Sequence, residues 1–100
     1  MKSAWQVYIV CCGDGTLYTG ITTDLRRRLA EHNSEKGGAR YTRARRPVTL
    51  VFSEAAASRS SATQREWQIK KMSVAQKLAL INSQSSEIRA NLALSRAFRF

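Results

Sequence analysis

The chain has few of the residues from which metal centres and disulfides are built. It contains two cysteines and one histidine in 100 residues, whereas a structural zinc site takes about four such ligands. Cys11 and Cys12 are adjacent, and neighbouring strand residues point to opposite faces of a sheet, so we expect no disulfide between them. No apolar run approaches the length of a membrane span, and no signal segment is apparent at the N-terminus. These absences argue against a zinc module, a disulfide-stapled domain and a membrane protein, and they favour a cytoplasmic location.

Acidic residues are also scarce. Seven Asp and Glu oppose 17 Lys and Arg, which gives a formal net charge of +10. A small chain with such a charge usually binds a polyanion, and nucleic acid is the commonest one. Charge alone does not separate DNA from RNA, or an enzyme from a coating protein.

The pattern of apolar residues predicts three strands and three helices in one domain. The predicted strands cover residues 5–12, 17–22 and 48–52. The predicted helices run from a cap at Thr23 or Asp24 to His32, over residues 58–72, and from Ser73 to about Asn82. With 43% hydrophobic residues in 100, we expect a single domain with a core of about 5–82. The tail, 86–100, is expected to be partly helical and to dock through Ile88, Leu92 and Phe98.

The first two strands form a predicted hairpin around a Gly-Asp-Gly turn. If Gly15 is left-handed there, Val10 faces Tyr18 and Tyr8 faces Gly20. Tyr8 and Tyr18 then project from one face as diagonal neighbours, roughly 7–8 Å apart at the backbone, and Gly20 leaves space opposite Tyr8. A slip of one residue would separate the phenols, and either tyrosine alone could be an ordinary packing residue.

The first predicted helix places an arginine among its apolar residues. At 100° per residue, Arg28 and His32 share with Leu25 and Leu29 a face about 100° wide, whereas Glu31 points to solvent with the two other arginines. A charged group on that face needs a partner or must reach water along its aliphatic stem. Because His32 follows one turn later on the same edge, we interpret this face as the edge of a functional site.

The second predicted helix carries a carboxylate in a similar position. Glu66 falls between the core-facing residues Ala62 and Ile69. Lys70 is four residues later and could simply pair with it. A carboxylate on the apolar side also suits a hard cation such as Mg²⁺, which often takes only one or two ligands from protein.

A basic segment separates the first helix from the third strand. Its residues suit contact with a phosphate backbone, and its one tyrosine could stack on a base; a solvated loop is the alternative. The predicted nucleic-acid contacts are Lys36, Arg40, Tyr41, Arg43, Arg45 and Arg46.

Taken in order, these motifs resemble the GIY-YIG nuclease superfamily, in particular its small stand-alone bacterial UPF0213 group. The resemblance covers roughly residues 5–81. It rests on the two tyrosine motifs, the Leu-x-x-Arg-x-x-x-His pattern of the first helix and the acidic position of the next helix. The matching residues are Tyr8, Tyr18, Leu25, Arg28, His32 and Glu66. Gln6 replaces the glycine of the first motif, and Thr19 stands where isoleucine is usual. Asn82 is too distant to take over the family's asparagine, and Lys77 has no assignable role.

The resemblance implies a small α/β (α+β) fold, in which helices flank a three-stranded antiparallel sheet. It also implies metal-dependent hydrolysis of phosphodiesters, with Mg²⁺ or Mn²⁺ held by Glu66. Arg28 would stabilise the phosphoryl charge, and Tyr8 would act as general base. That role requires either a lowered phenol pKa or a metal-bound hydroxide as proton acceptor. Tyr18 would position water or phosphate, and His32 would hydrogen-bond within the cluster or share the base role.

We therefore expect an endonuclease with little sequence specificity that acts on DNA rather than RNA. It either recognises DNA structure or uses a protein partner for targeting, and by analogy with the family it acts in repair or recombination. The alternative is a non-catalytic nucleic-acid-binding module with the same fold. A basic scaffold on RNA or the ribosome would explain the charge but not the inward positions of Arg28 and Glu66.

Overall fold

The computed structural model describes residues 3–34 and 37–95, with side chains as far as residue 84. Three strands form an antiparallel sheet in the order β2-β1-β3. The strands are β1 (Gln6–Cys11), β2 (Leu17–Thr22) and β3 (Thr49–Ala55). The helices are α1 (Leu25–Asn33), α2 (Arg40–Arg43), α3 (Arg59–Lys70) and α4 (Val74–Ser95). The predicted three-stranded sheet with flanking helices is confirmed.

The hairpin has the predicted register. Val10 pairs with Tyr18, and Tyr8 pairs with Gly20. Gly15 has a φ of +85°, the left-handed conformation that a three-residue loop with a bulge requires and that glycine adopts without steric cost. The two tyrosines therefore project from the same face of the sheet.

Both faces of β1 are buried because helices cover the sheet on each side. Val7 and Ile9 pack with Phe52 and with residues of α3 and α4 in one core cluster. The intervening residues of β1 point the other way, and Tyr8 and Val10 pack with the leucines of α1 in a second cluster. The alternation of side chains along a strand accounts for this division. Tyr8 and Tyr18 of the predicted site belong to the second cluster.

Side-chain caps set the starts of the main helices. The Asp24 carboxylate accepts a hydrogen bond from the Arg27 backbone N–H at 3.0 Å, so Asp24 rather than Thr23 caps α1. Ser73 and Gln76 form the predicted capping box at the start of α4, with reciprocal bonds of 2.8 and 3.1 Å. Each bond satisfies a backbone donor that a helix leaves unpaired at its first turn.

The predicted elements differ from the structure at three places, the first of which is β3, which ends at Ala55 and not at residue 52. The basic segment is not only a loop, because it contains the short helix α2. Helix α4 does not end near Asn82 but continues to Ser95, since no glycine or proline interrupts it. Ile88 and Leu92 lie in α4 beyond the side chains described, and Phe98 lies outside the described residues. Within 3–34 and 37–95, we find no helix with the length and hydropathy needed to span a lipid bilayer.

Candidate active site

The centre of the candidate site is a buried contact between a phenol and an imidazole. The hydroxyl of Tyr8, on β1, lies 2.8 Å from Nε2 of His32, on α1. Tyr8 is 1% exposed and His32 is fully buried. A Cβ on Gly20 would lie only 2.5 Å from the Tyr8 hydroxyl, so glycine at this position is what allows the phenol to cross β2 and reach α1.

The other nitrogen of His32 is held from α2. His32 Nδ1 lies 2.8 Å from the hydroxyl oxygen of Thr42, which is itself fully buried. The Thr42 hydroxyl donates to the carbonyl oxygen of Ala39 at 3.0 Å. Both imidazole nitrogens are therefore engaged, one towards the sheet and the other towards α2.

Aromatic contacts enclose this pair on the β2 side. The ring of Tyr18 packs edge-on against His32, with centroids 5.4 Å apart. On α2, Tyr41 stacks on Tyr18 at 5.9 Å with an interplanar angle of 21°. The Arg45 guanidinium lies 4.0 Å from the centroid of the Tyr41 ring. The predicted neighbours Tyr8 and Tyr18 thus meet the same imidazole, and Tyr41 extends the cluster outward.

Arg28 lies half-buried at the edge of the cluster. Its side chain is 28% exposed, and Nη1 pairs with a carboxylate oxygen of Glu31 at 3.1 Å. The helical projection places Glu31 towards solvent, and its side chain is 44% exposed. Being three residues along the helix, it is still close enough to reach the arginine. The partner accounts for a charge on the core-facing side of α1. The ion pair with Glu31 leaves part of the guanidinium uncovered beside Tyr8.

Burial shifts the ionisation of the central pair away from charged forms. The pKa of Tyr8 is raised, chiefly by burial, while hydrogen bonding and charge from Arg28 act in the opposite direction and the charges of Tyr18 and Glu66 add to the rise. The pKa of His32 is lowered, first by burial and then by the charge of Arg28. Both groups are therefore neutral at pH 7. The pKa of the Tyr8 phenol is thus raised by its surroundings and not lowered by them.

Glu66 occupies the predicted position on α3, between the fully buried residues Ala62 and Ile69. Its side chain is 20% exposed, and its carboxylate pairs with Lys70 at 3.3 Å. The helix packs on β1 and β2, and the carboxylate is close enough to raise the pKa of Tyr8. Among the described residues, no three His, Cys, Asp or Glu side chains cluster as a metal site. A lone carboxylate fits Mg²⁺, which retains several waters and takes further oxygens from a phosphate.

The basic segment divides between structural and exposed arginines. Arg45 forms an ion pair of 3.0 Å with Asp14 in the hairpin turn and donates to the Tyr41 carbonyl at 2.8 Å. Arg43 and Arg46 line an open cleft with Asn33 and Pro47. Arg40 is exposed, and Lys36 lies outside the described residues. The contact of these residues with nucleic acid stays a prediction.

Comparison with known proteins shows the family of the chain. The model of the family described as the GIY-YIG catalytic domain matches residues 4–79. The chain belongs to the GIY-YIG family. A UPF0213 protein from Desulfotalea psychrophila is 56% identical over 82 residues, covering 82% of this chain and 74% of that protein. A UPF0213 protein from Halobacterium salinarum is 57% identical over 75% of this chain and 96% of its own length.

A solved structure also resembles this GIY-YIG protein. The solution NMR structure of a UPF0213 protein from Bacillus halodurans matches it with a TM-score of 0.51 and 44% identity. It covers 78% of this chain and 82% of the solved one. The family is one of nucleases, so its membership implies a nucleic-acid substrate, and nucleases of this family generally use divalent metals.

The structure brings Tyr8, Tyr18 and His32 into contact, with Arg28 beside them. Glu66 lies on α3 beside residues of the other core cluster, and only its charge acts on Tyr8.

Three neighbours of this group are not found by sequence reasoning. Thr42 was hidden in a basic segment, where threonine carries no signal of its own. The helical projection gives the exposed side for Glu31 but not its ion pair with Arg28. Gly38 has a φ of +80°, and a Cβ there would lie 2.7 Å from the Cα of His32, so its role depends on a contact that only the fold creates. In the sequence, the pair Gly37-Gly38 before the basic segment is the one sign of a close backbone approach there.

Proposed function

We propose that this GIY-YIG protein is a metal-dependent endonuclease that hydrolyses phosphodiester bonds, with DNA as the preferred substrate. The observation that carries the proposal is the 2.8 Å contact between Tyr8 and His32, with a half-buried guanidinium beside it. A proton acceptor, a proton relay and a phosphate-binding cation are the parts that this reaction requires. A structural core would more simply be filled with apolar side chains.

In the proposed mechanism, the attacking water gives a proton to the Tyr8 oxygen while the phenol gives its own proton to His32 Nε2. The water oxygen forms the new bond to phosphorus, and the ester P–O bond breaks with its electron pair on the departing oxygen. This relay needs no phenolate in the resting protein, in keeping with the raised pKa of Tyr8. It needs a neutral imidazole, in keeping with the lowered pKa of His32.

Two further side chains act on the phosphate. Arg28 would bind the phosphoryl oxygens through its open N–H groups, since a guanidinium keeps its charge and matches phosphate geometry. Tyr18, half-buried beside His32, would orient the water or the phosphate. Glu66 would hold Mg²⁺ or Mn²⁺ in place of its ion pair with Lys70. The metal would supply neutralising charge at the phosphate and the leaving oxygen.

The net charge of +10 supports binding to a nucleic-acid backbone with little choice of sequence. The exposed arginines of the cleft, Arg43 and Arg46, are proposed backbone contacts, with Arg40 and Lys36 near them in the chain. Tyr41 and Arg45 would support the cluster from the side of α2 as well as bordering the substrate. A protein partner for targeting, a role in DNA repair and a cytoplasmic location belong to the same proposal.

The test is nicking of supercoiled plasmid at low salt, with Mg²⁺, Mn²⁺ or chelator, by wild type and Glu66→Ala. A matched control is Glu54→Ala, which removes a carboxylate paired with Arg65 at 2.9 Å outside the cluster. We expect metal-dependent nicking by wild type and the Glu54 variant, and loss on the order of 10²-fold or more in Glu66→Ala. Equal nicking by all three proteins would contradict the proposal.

The second candidate function is a nucleic-acid-binding module without catalysis. The Glu66–Lys70 pair favours it, because a carboxylate satisfied by a lysine has no need of a cation. Retained DNA affinity with no metal-dependent nicking on plasmid or branched DNA would establish this second function.

A further inference from the structure

Thr42 stands out among the described residues as a fully buried polar side chain with no assigned role. It lies on α2 and touches the imidazole from the side opposite Tyr8, with Oγ1 2.8 Å from His32 Nδ1. We propose that Thr42 is a positioning residue that fixes the tautomer of His32, so that Nδ1 carries the hydrogen and Nε2 is left free to accept the proton of Tyr8. The inference rests on the proposed function and deepens it.

The hydrogen-bond pattern around Thr42 gives the direction of each bond. A threonine hydroxyl has one hydrogen to donate, and the carbonyl oxygen of Ala39 lies 3.0 Å away to receive it. That carbonyl also accepts the backbone N–H groups of Thr42 and Arg43, each at 3.1 Å. With the hydroxyl hydrogen directed at Ala39, Oγ1 is left to accept, so we assign the short contact with His32 as a bond from Nδ1–H to Oγ1. The Ala39 N–H also points at this nitrogen as a donor, at 3.4 Å, and this longer bond is the one that an Nδ1–H would give up in favour of the 2.8 Å bond to Thr42.

The hydrogen on Nδ1 of His32 determines what Nε2, on the other side of the ring, can do. A neutral imidazole with hydrogen on Nδ1 has a lone pair on Nε2. At 2.8 Å from the Tyr8 hydroxyl, that lone pair accepts the phenol hydrogen. The opposite tautomer would place an N–H against Tyr8, and the phenol could then pass no proton to His32.

The chain around Thr42 is built to bring it to the ring. Gly38 has a φ of +80°, and any side chain there would collide with His32. The backbone therefore passes directly over the imidazole and delivers Ala39 and Thr42 to the same nitrogen. Stacking of the neighbouring Tyr41 on Tyr18 holds α2 in place.

The decisive measurement is nitrogen-15 NMR of the imidazole. Since the chain has one histidine, the two ring nitrogen signals belong to His32 without further assignment. In the wild type at neutral pH we expect a protonated Nδ1 and a bare Nε2. A protonated Nε2 would overturn the proposal, and this arm needs no variant.

Two variants test the role in the reaction. Thr42→Val keeps the shape of the side chain but removes the acceptor, so we expect the imidazole to shift towards the Nε2–H tautomer and nicking to fall on the order of 10²-fold. Thr42→Ser keeps the hydroxyl and should retain both the wild-type tautomer and most of the activity. A valine variant with an unchanged tautomer would contradict the proposal. If wild type does not nick DNA, the proposed function fails, while the NMR result still decides what Thr42 does to His32.

Discussion

At the scale of single residues, the Tyr8 hydroxyl connects the sheet to α1. Tyr8→Phe removes it and leaves Nε2 of His32 buried without a donor. We expect cleavage to fall on the order of 10²–10⁴-fold, with DNA affinity nearly unchanged because the phenol is buried. The free energy of unfolding should drop by about 1–3 kcal/mol.

Plasmid nicking, DNA binding and urea denaturation of the same Tyr8→Phe preparation measure these three quantities. Tyr18→Phe is the matched control for stability, since it removes a phenol oxygen from the same cluster but not the bond to His32. Normal cleavage by Tyr8→Phe would rule out its base role and leave Tyr18 as the candidate.

Gly20 matters because the phenol of Tyr8 lies directly against it. A methyl group there would come within 2.5 Å of the Tyr8 hydroxyl, so Gly20→Ala must push the phenol away from His32. We expect a loss of about 1–3 kcal/mol in stability and a loss of nicking comparable to that of Tyr8→Phe.

Gly15→Ala provides the comparison for Gly20→Ala. Gly15 has a φ of +85°, but nothing lies within 4 Å of the added Cβ. We therefore expect a backbone strain of about 1–2 kcal/mol with full activity. Thermal melts and nicking assays separate the two effects. An active Gly20→Ala protein would show that Tyr8 can shift without loss of function.

At the scale of elements, α4 is tied to the outer edge of the sheet. Ser53 pairs with Tyr8 on β1, and its own backbone N–H and C=O both bond to the side-chain amide of Gln84, at 3.1 and 2.7 Å. In an antiparallel edge strand, both backbone groups of alternate residues point outward. The amide of Gln84 satisfies one such pair and covers the edge locally.

Gln84→Ala should therefore loosen α4 from β3. We expect it to lower the free energy of unfolding by about 1–3 kcal/mol, since two bonds are lost and two backbone groups are left to water. Urea denaturation measures the change. Asn82→Ala is the control, because Asn82 lies on the same helix and is exposed; an equal effect of both variants would contradict the role of Gln84.

At the scale of the whole molecule, the buried imidazole makes stability depend on pH. The folded-state pKa of His32 is lowered, whereas the unfolded chain has the ordinary value of about 6.5. Between the two values the unfolded state binds more protons, so stability falls as pH falls. Above about pH 6.5 the contribution of His32 is fully present.

We therefore expect the urea midpoint to be steady between about pH 7 and 8 and to decrease as pH drops below about 6.5. His32→Gln, which cannot titrate there, should be less stable overall but show a shallower decrease. A midpoint that rises on acidification would show that His32 is charged in the folded protein. The comparison uses one ionic strength, since a protein of net charge +10 also responds to salt.

The sequence by itself determined those parts of the fold and site that depend on the periods of single strands and helices and on the hairpin turn. The strict two-residue alternation of a strand and the Gly-Asp-Gly turn settled the register that puts Tyr8 opposite Gly20. The 3.6-residue period placed Arg28 and His32 on the buried side of α1, and Glu66 between Ala62 and Ile69. Each of these conclusions involves neighbours within one element or one hairpin.

Contacts between distant segments were decided only by the tertiary structure. Thr42 meets His32 because Gly38 lets the backbone cross the ring, Tyr41 stacks on Tyr18 rather than standing free, and the raised pKa of Tyr8 follows from burial beneath α1. Such contacts depend on how elements pack, which no local period specifies. The sequence thus determined which faces carry the candidate residues, and packing decided which of their atoms meet and in which direction their pKa values shift.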